Sequence, residues 1–403
     1  MTSESTGQSP TGWPARLDQA RLHFVTGKGG TGKTTVAAAL ALALAARGRS
    51  VLLVEVEGRQ GIAQLFDVPP LPYGEQKIAT AEGGGLVNAL AVDTEAAFLE
   101  YLDMFYNLGI AGRAMRRIGA IEFATTIAPG LRDVLLTGKI KESVVRLDRN
   151  KRPAYDAIVV DSPPTGRIAR FLDVTKAVSE LAKGGPVHAQ AESVVNILHS
   201  ENTAIHLVTL LESLPIQETI EAIEELRELD LPIGSVIVNR NIPAILPADA
   251  LPKAAEGVID ADTVRTDLGK VGVTLSDDDF AGLLTETIEH ATRIRARAES
   301  AEALDDIDVP RLELPAINDG VDNATYVFEA VCLRNVLAFE ASASCRHVGG
   351  RSLHAERRPS LQKFGPRAKE ALGPPSSPKK ALEFCHFVRS FAQFVLDAAV
   401  AAR

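Results

Sequence analysis

Short apolar runs alternate along the chain with longer stretches in which apolar residues recur every three or four positions. Seven runs read as buried strands: Leu22 to Thr26, Ser50 to Glu55, Leu86 to Val92, Ala157 to Asp161, Ala204 to Thr209, Gly234 to Asn239 and Arg311 to Leu314. Runs this continuous belong to strands covered on both faces, so the pattern predicts an α/β, doubly wound, mostly parallel sheet. Two helical segments are longer than one crossover needs, at about 94–147 and about 168–199. The first is rich in apolar residues from Phe98 to Ile118, and reads either as an inserted helical subdomain facing a partner or as additional core. The chain thus divides into a polar N-terminus over 1–20, predicted disordered, a main domain over 21–319, and a tail over 320–403. Within the tail, 342–378 is rich in Ser, Pro, Gly and basic residues and predicts disorder, whereas 379–402 carries an amphipathic helical pattern. That helix has three destinations open to it: the body of the protein, a partner, or a membrane surface.

Chemistry enters at the end of the first strand. Gly27-Lys28-Gly29-Gly30-Thr31-Gly32-Lys33-Thr34-Thr35 lies between a buried strand and an Ala/Leu-rich helix, the context in which a phosphate-binding loop works. The four glycines are expected to allow positive φ, so that successive N–H groups, with the helix N-terminus behind them, point at phosphate oxygens. Lys33 then falls on the β and γ phosphates and the Thr34 hydroxyl on Mg²⁺. Asp161 closes the run Ala157 to Val160 as a Mg²⁺-holding acid would, and Gly166, in the Pro/Gly-rich segment after it, is a candidate sensor of the γ phosphate. Glu57, just past the second strand, is the best-placed carboxylate to orient an attacking water; the alternative is a solvated loop acid. Lys28 is a second lysine ahead of Lys33. Its side chain is expected to point away from the nucleotide that Lys33 serves, either into solvent or across a face-to-face dimer onto the partner's phosphates.

Composition narrows the class. The 403 residues are 46% hydrophobic, enough for a large core, with no run of about 18 or more apolar residues to span a membrane and no signal-peptide pattern. A cytoplasmic site of action is expected, with peripheral membrane attachment left open. The net charge of −9 argues against a nucleic-acid partner. Charge is uneven: from 333 onward 12 Lys+Arg stand against 5 Asp+Glu, leaving 31 against 47 in the rest. Cys332, Cys345 and Cys385 all fall in the 320–403 tail, so a thiolate metal or metalloid site in the acidic body is excluded.

The pattern GKGGTGKTT resembles the deviant phosphate-binding loop of dimerising ATPases. Asp161-Ser162-Pro163-Pro164-Thr165-Gly166-Arg167 is similar to the D-T-A-P-T-G-H segment of the arsenical-pump and tail-anchored-protein targeting ATPase family. Further pieces resemble it in order: Ile127 to Leu131, Leu211 to Thr219, and Val238-Asn239-Arg240. The stretch EVEGRQGIAQLFD resembles actinobacterial anion-transporting paralogues, and the likeness covers about residues 20 to 318. It implies that ATP is the nucleotide, that Asn239 bonds the adenine edge, that the Leu314-Pro315 turn covers the base, and that Lys28 acts across a dimer of identical or paralogous subunits.

Departures from the family restrict the chemistry to be expected. Its D-P-A-H segment becomes Glu57-Gly58-Arg59-Gln60 here, and its histidine becomes Arg167. A carboxylate longer by one methylene matters because a misplacement of about 1 Å can cost roughly 100-fold in rate. The thiol-free body gives no support for arsenite, and only 3 Met gives weak support for a long hydrophobic client. The resulting expectation is a Mg²⁺-dependent, ATP-hydrolysing dimeric switch that couples nucleotide state to a helical client- or partner-binding subdomain. Two alternatives stay open: an ATP-binding regulatory half of a paralogous assembly, and a membrane-positioning ATPase.

Overall fold

The computed structural model describes residues 17–316 apart from 18, 82, 98–99, 101–130 and 174–185. Residues 1–16 of the N-terminus expected to be disordered, the middle of the first helical segment, part of the second, and the tail with its terminal helix lie outside the described residues, whereas Leu17 and Ala20 at the end of that N-terminus are buried with Ala204. The described chain forms two compact units, one up to Ile242 and from Arg297, the other Pro243–Ala296.

The larger unit is an eight-stranded sheet with spatial order β3-β4-β2-β5-β1-β6-β7-β8. Its strands are β1 Leu22–Gly27, β2 Ser50–Glu55, β3 Gln76–Thr80, β4 Leu86–Ala91, β5 Ala157–Asp161, β6 Thr203–Thr209, β7 Ile233–Asn241 and β8 Arg311–Pro315. Every pairing is parallel except β3 with β4. All seven strands read from the sequence are present. The eighth, β3, was missed because it is a half-polar edge strand, Gln-Lys-Ile-Ala-Thr, without a continuous apolar run.

Alternate residues of each strand serve two separate cores, as the period-two geometry of a strand requires. Leu22, Phe24, Leu52, Val54, Ile158, Val160, Ile205 and Leu207 face one side. There they meet α3 Leu131–Val145, α4 Thr165–Leu172, α5 Pro186–Leu198 and α6 Ser213–Glu228. Val25, Val51, Leu53, Val87, Val159 and Val208 face the other, against α1 Lys33–Ala45 and α2 Gly61–Leu65. Most of α1 is buried, and its many alanines let it lie close on β1, β2 and β5. This fixes the direction in which α1 leaves the loop after β1. The two long helical segments read from the sequence contain α3 in the first, and the greater part of α4 with α5 in the second.

A polar chain crosses the buried middle of the sheet. The carbonyl of Ala20 can only accept, so His23 Nε2–H donates to it at 3.0 Å. His23 Nδ1 then accepts from His206 Nε2–H at 3.1 Å, and His206 Nδ1 accepts from the Ser235 hydroxyl at 2.8 Å. Both rings are fully buried. Gly234 makes room for this: a Cβ there would lie 2.7 Å from His206 Cε1. Replacing His206 by Ala removes the donor and opens a cavity between β1 and β7, and is expected to cost about 2–4 kcal/mol. Urea unfolding checks this, and a change below about 0.5 kcal/mol would show that the chain of bonds contributes nothing net.

The second unit was not read from the sequence at all. It holds α7 Leu251–Ala255, α8 Ala261–Lys270 and the first part of α9 Asp277–Asp305. Asp260 caps α8, accepting from Thr263 N at 3.0 Å and Thr263 Oγ1 at 2.8 Å. Ser276 accepts from Asp279 N at the start of α9, where three aspartates complement the helix dipole. Phe280 is buried beneath the Arg265 guanidinium, 4.1 Å from the ring centre.

Candidate functional site

The loop between β1 and α1 lies at the C-terminal end of the central strand, flanked by β5 and β6. Gly27 is required by close approach: a Cβ there would lie 2.2 Å from Val208 O on β6. Gly32, at φ 91°, backs onto Asn239, whose Nδ2 would sit 2.5 Å from an added Cβ. Gly30 also has positive φ, but Gly29 does not, so three of the four glycines adopt the conformation expected for all of them. The buried Thr31 closes the turn, its hydroxyl donating to Lys28 O at 2.8 Å. Thr35 follows in the first turn of α1.

Lys33 is buried, and desolvation holds its ammonium below the usual lysine range against the attraction of Asp161 and Glu57. The Thr34 hydroxyl donates to Asp161 Oδ2 at 2.7 Å, so the loop and the acid ending β5 meet. Asp161 is itself buried, which pushes its carboxyl up to about 6, with the Thr34 bond and Lys33 opposing. Its other oxygen, Oδ1, is buried with no hydrogen-bond partner. An orphaned carboxylate oxygen beside a hydroxyl is a hard oxygen pair that fits Mg²⁺. Among the described residues no three His, Cys, Asp or Glu group to hold a metal. A cation here would therefore depend on phosphate oxygens and water for its remaining ligands, as Mg²⁺ commonly does.

The segment after β2 is held by an acid that the sequence reading left without a role. Glu55, buried at the end of β2, accepts from the backbone N–H groups of Gln60 and Ile62. Its signal was the same as that of Asp161, a carboxylate closing a buried strand. The Gln60 side chain adds two bonds to the Leu71 backbone, and Gly61 brings the segment against Thr34. On this fixed backbone Glu57 is 17% exposed and sits between two guanidiniums, Arg59 at 3.5 Å and Arg167 at 3.6 Å.

Lys28 makes an ion pair with Glu218 of α6 at 2.8 Å, and Glu218 also accepts from Thr165 at the start of α4 at 3.3 Å. Glu218 entered the sequence reading only as part of a resemblance. Asn239 donates to Thr31 O at 2.8 Å, tying the end of β7 to the loop. Pro315 ends β8 one strand further out, opposite Asn241. Gly166 is exposed in the first turn of α4. Lys33, Thr34, Asp161 and Glu57 thus share one small volume, with Lys28 and Asn239 bound to its rim.

The family model for the anion-transporting ATPase matches residues 20–184 and 185–250. The chain is 78% identical over 322 residues to ATPase BagA of Mycobacterium tuberculosis, covering 80% of this chain and 95% of the relative. It is 28% identical over 263 residues to an arsenical pump-driving ATPase of Acidiphilium multivorum, covering 57% and 41% respectively. ATPase GET3 of Kluyveromyces lactis is 24% identical over 254 residues, covering 55% and 72%. No helix among the described residues is long and apolar enough to cross a membrane. With a phosphate-binding loop, a buried strand-ending acid beside it and a family match over more than half its length, the chain belongs to the anion-transporting ATPase family and is an ATPase.

Proposed function

We propose that this ATPase is Mg²⁺-dependent and works as a nucleotide-gated dimer in which Lys28 acts on the partner's nucleotide. The observation that carries the metal site is the 2.7 Å bond from Thr34 to Asp161, with Asp161 Oδ1 buried beside it without a hydrogen-bond partner. Mg²⁺ held by these two residues would neutralise charge on the β and γ phosphate oxygens. Lys33 binds the same oxygens from the loop. Glu57 accepts a hydrogen bond from the attacking water and fixes its line of approach. Asn239 and Pro315 bound the adenine side of the site, and Gly166 N–H reports on the γ phosphate.

Support for an in-trans Lys28 comes from its ion pair with Glu218, which turns the ammonium to α6 instead of to Asp161 or Glu57. Both partners are roughly a quarter to a third exposed. A pair of that exposure is worth about 0–1 kcal/mol, so exchanging Glu218 for a partner's phosphates costs little. The packing of α4 against α3 and α6 offers a physical path from Gly166 to α3. The stretch from Phe98 to Ile118 is the proposed client- or partner-facing element, and a nucleotide would change its partner affinity only through differential affinity for two states of the protein. The thiol-free acidic body argues against arsenite as the species handled.

One observation favours a second reading, an ATP-binding regulatory half with little turnover: both Glu57 oxygens face guanidiniums. Steady-state turnover separates the two. Glu57→Gln and Lys28→Ala are each expected to lower kcat about 100-fold or more with ATP affinity within a few-fold of wild type. Wild-type rates in both variants would sink the proposed mechanism.

A further inference from the structure

We infer that Arg167 is a positioning residue for ATP hydrolysis: it holds the Glu57 carboxylate in the orientation from which that group lines up water. The inference rests on the proposed role of Glu57. Three observations converge on it. The backbone of Glu57 is fixed from below by Glu55, through Gln60 N and Ile62 N, and from the side by the Gln60 bonds to Leu71. The Glu57 side chain retains several free torsions on that backbone, so its direction must be set by whatever charge it meets. It meets Arg59 at Oε2 and Arg167 at Oε1.

These two cations are not equivalent. Arg59 lies two residues along the same loop, so it moves with Glu57; both guanidiniums are more than half exposed, Arg59 at 71% and Arg167 at 56%. Arg167 comes from the first turn of α4, an element anchored in the core by Ile168, Phe171 and Leu172. It therefore relates Glu57 to a rigid body that includes Gly166, the candidate γ-phosphate sensor. Arg167 also acts on the partly buried Asp133 of α3, whose carboxyl burial holds above the usual carboxylate range while Arg167, Arg132 and Arg170 pull it down.

The contact at 3.6 Å is an ion pair beyond ordinary hydrogen-bond length, so Glu57 keeps acceptor capacity for water. A positioning role predicts a loss in kcat with KM for ATP little changed, since the geometry matters at the water and not at the nucleotide. The test is a double-mutant cycle on full-length protein with four forms: wild type, Glu57→Gln, Arg167→Ala and the double variant, with Arg167→Lys as the conservative control. Arg167→Ala is expected to lower kcat about 10-fold, with KM and a fluorescent ATP analogue's affinity within about 2-fold. The double variant should be no slower than Glu57→Gln alone, and Arg167→Lys should recover part of the rate. Thermal melts of all forms establish that each is folded. Losses in the double variant that multiply would overturn the inference and place Arg167 on the phosphates in its own right. A wild-type kcat in Arg167→Ala, with Glu57→Gln impaired, would remove the pairing and leave the role of Glu57 standing. A wild-type kcat in Glu57→Gln would remove both.

Discussion

Asp161→Asn is expected to make the metal-free protein more stable at pH 7 while removing roughly 100-fold or more of its turnover with Mg²⁺. The gain in stability follows from burial. Desolvation raises the Asp161 carboxyl from 3.8 to about 6, against the opposing Thr34 bond and Lys33. Between about pH 4 and 6 the folded protein therefore holds more protons here than the unfolded chain does. Stability in EDTA rises as pH falls through that window, and the ionised carboxylate is a cost to the fold above it. A rise of this size corresponds to on the order of 2–3 kcal/mol at pH 7. Asn keeps the shape and an acceptor for the Thr34 hydroxyl but carries no charge, so the cost disappears along with the cation's ligand. Thermal melts in EDTA at pH 5 and pH 7.5 should show the wild type losing stability over this interval and Asp161→Asn holding it. A variant less stable than wild type at pH 7.5 would mean that attraction to Lys33 outweighs desolvation.

Lys33→Ala should have the largest effect on nucleotide affinity. The ammonium is buried, and desolvation lowers it from the usual lysine range while the attraction of Asp161 and Glu57 opposes that fall. Phosphate oxygens bound at the loop would meet a cation already stripped of water, which is where a single charge is worth most. Truncating one partner of such a buried pair costs about 2–5 kcal/mol, or roughly 30- to several thousand-fold in affinity. Equilibrium titration with a fluorescent ATP analogue measures it. The same change leaves Asp161 without its nearest cation, so Lys33→Ala with Asp161→Asn is expected to be more stable than Lys33→Ala alone. A loss in affinity below about 10-fold would place the phosphates elsewhere than on Lys33.

The central strands were legible because both of their faces are buried, which leaves an uninterrupted apolar run with a sharp end. Asp161 and the loop after Gly27 were legible for the same reason, since each marks where such a run stops. β3 escaped because an edge strand with one open side is allowed Gln76, Lys77 and Thr80. The Pro243–Ala296 unit escaped because its core is thin: Leu251, Val264, Leu268, Leu283 and Ile288 are only partly covered, so no strong periodic stripe announces α7 to α9. Its capping residues Asp260 and Ser276 were the available signal. Of the site, Lys33, Thr34 and Asp161 could be read from spacing. The partners of Lys28 and Glu57 could not, because Glu218 and Arg167 approach from α6 and α4, far along the chain.

Mixing Lys28→Ala with Glu57→Gln tests the proposed dimer most directly. In a mixed dimer, the site of the Lys28→Ala subunit keeps its own Glu57 and receives Lys28 from the Glu57→Gln subunit. Random pairing makes about half the dimers mixed, each with one competent site of two, so about a quarter of wild-type turnover should return when the two inactive variants are combined. Turnover that stays at the sum of the separate variants would contradict an in-trans Lys28 and leave each subunit to hydrolyse, or merely hold, its own ATP.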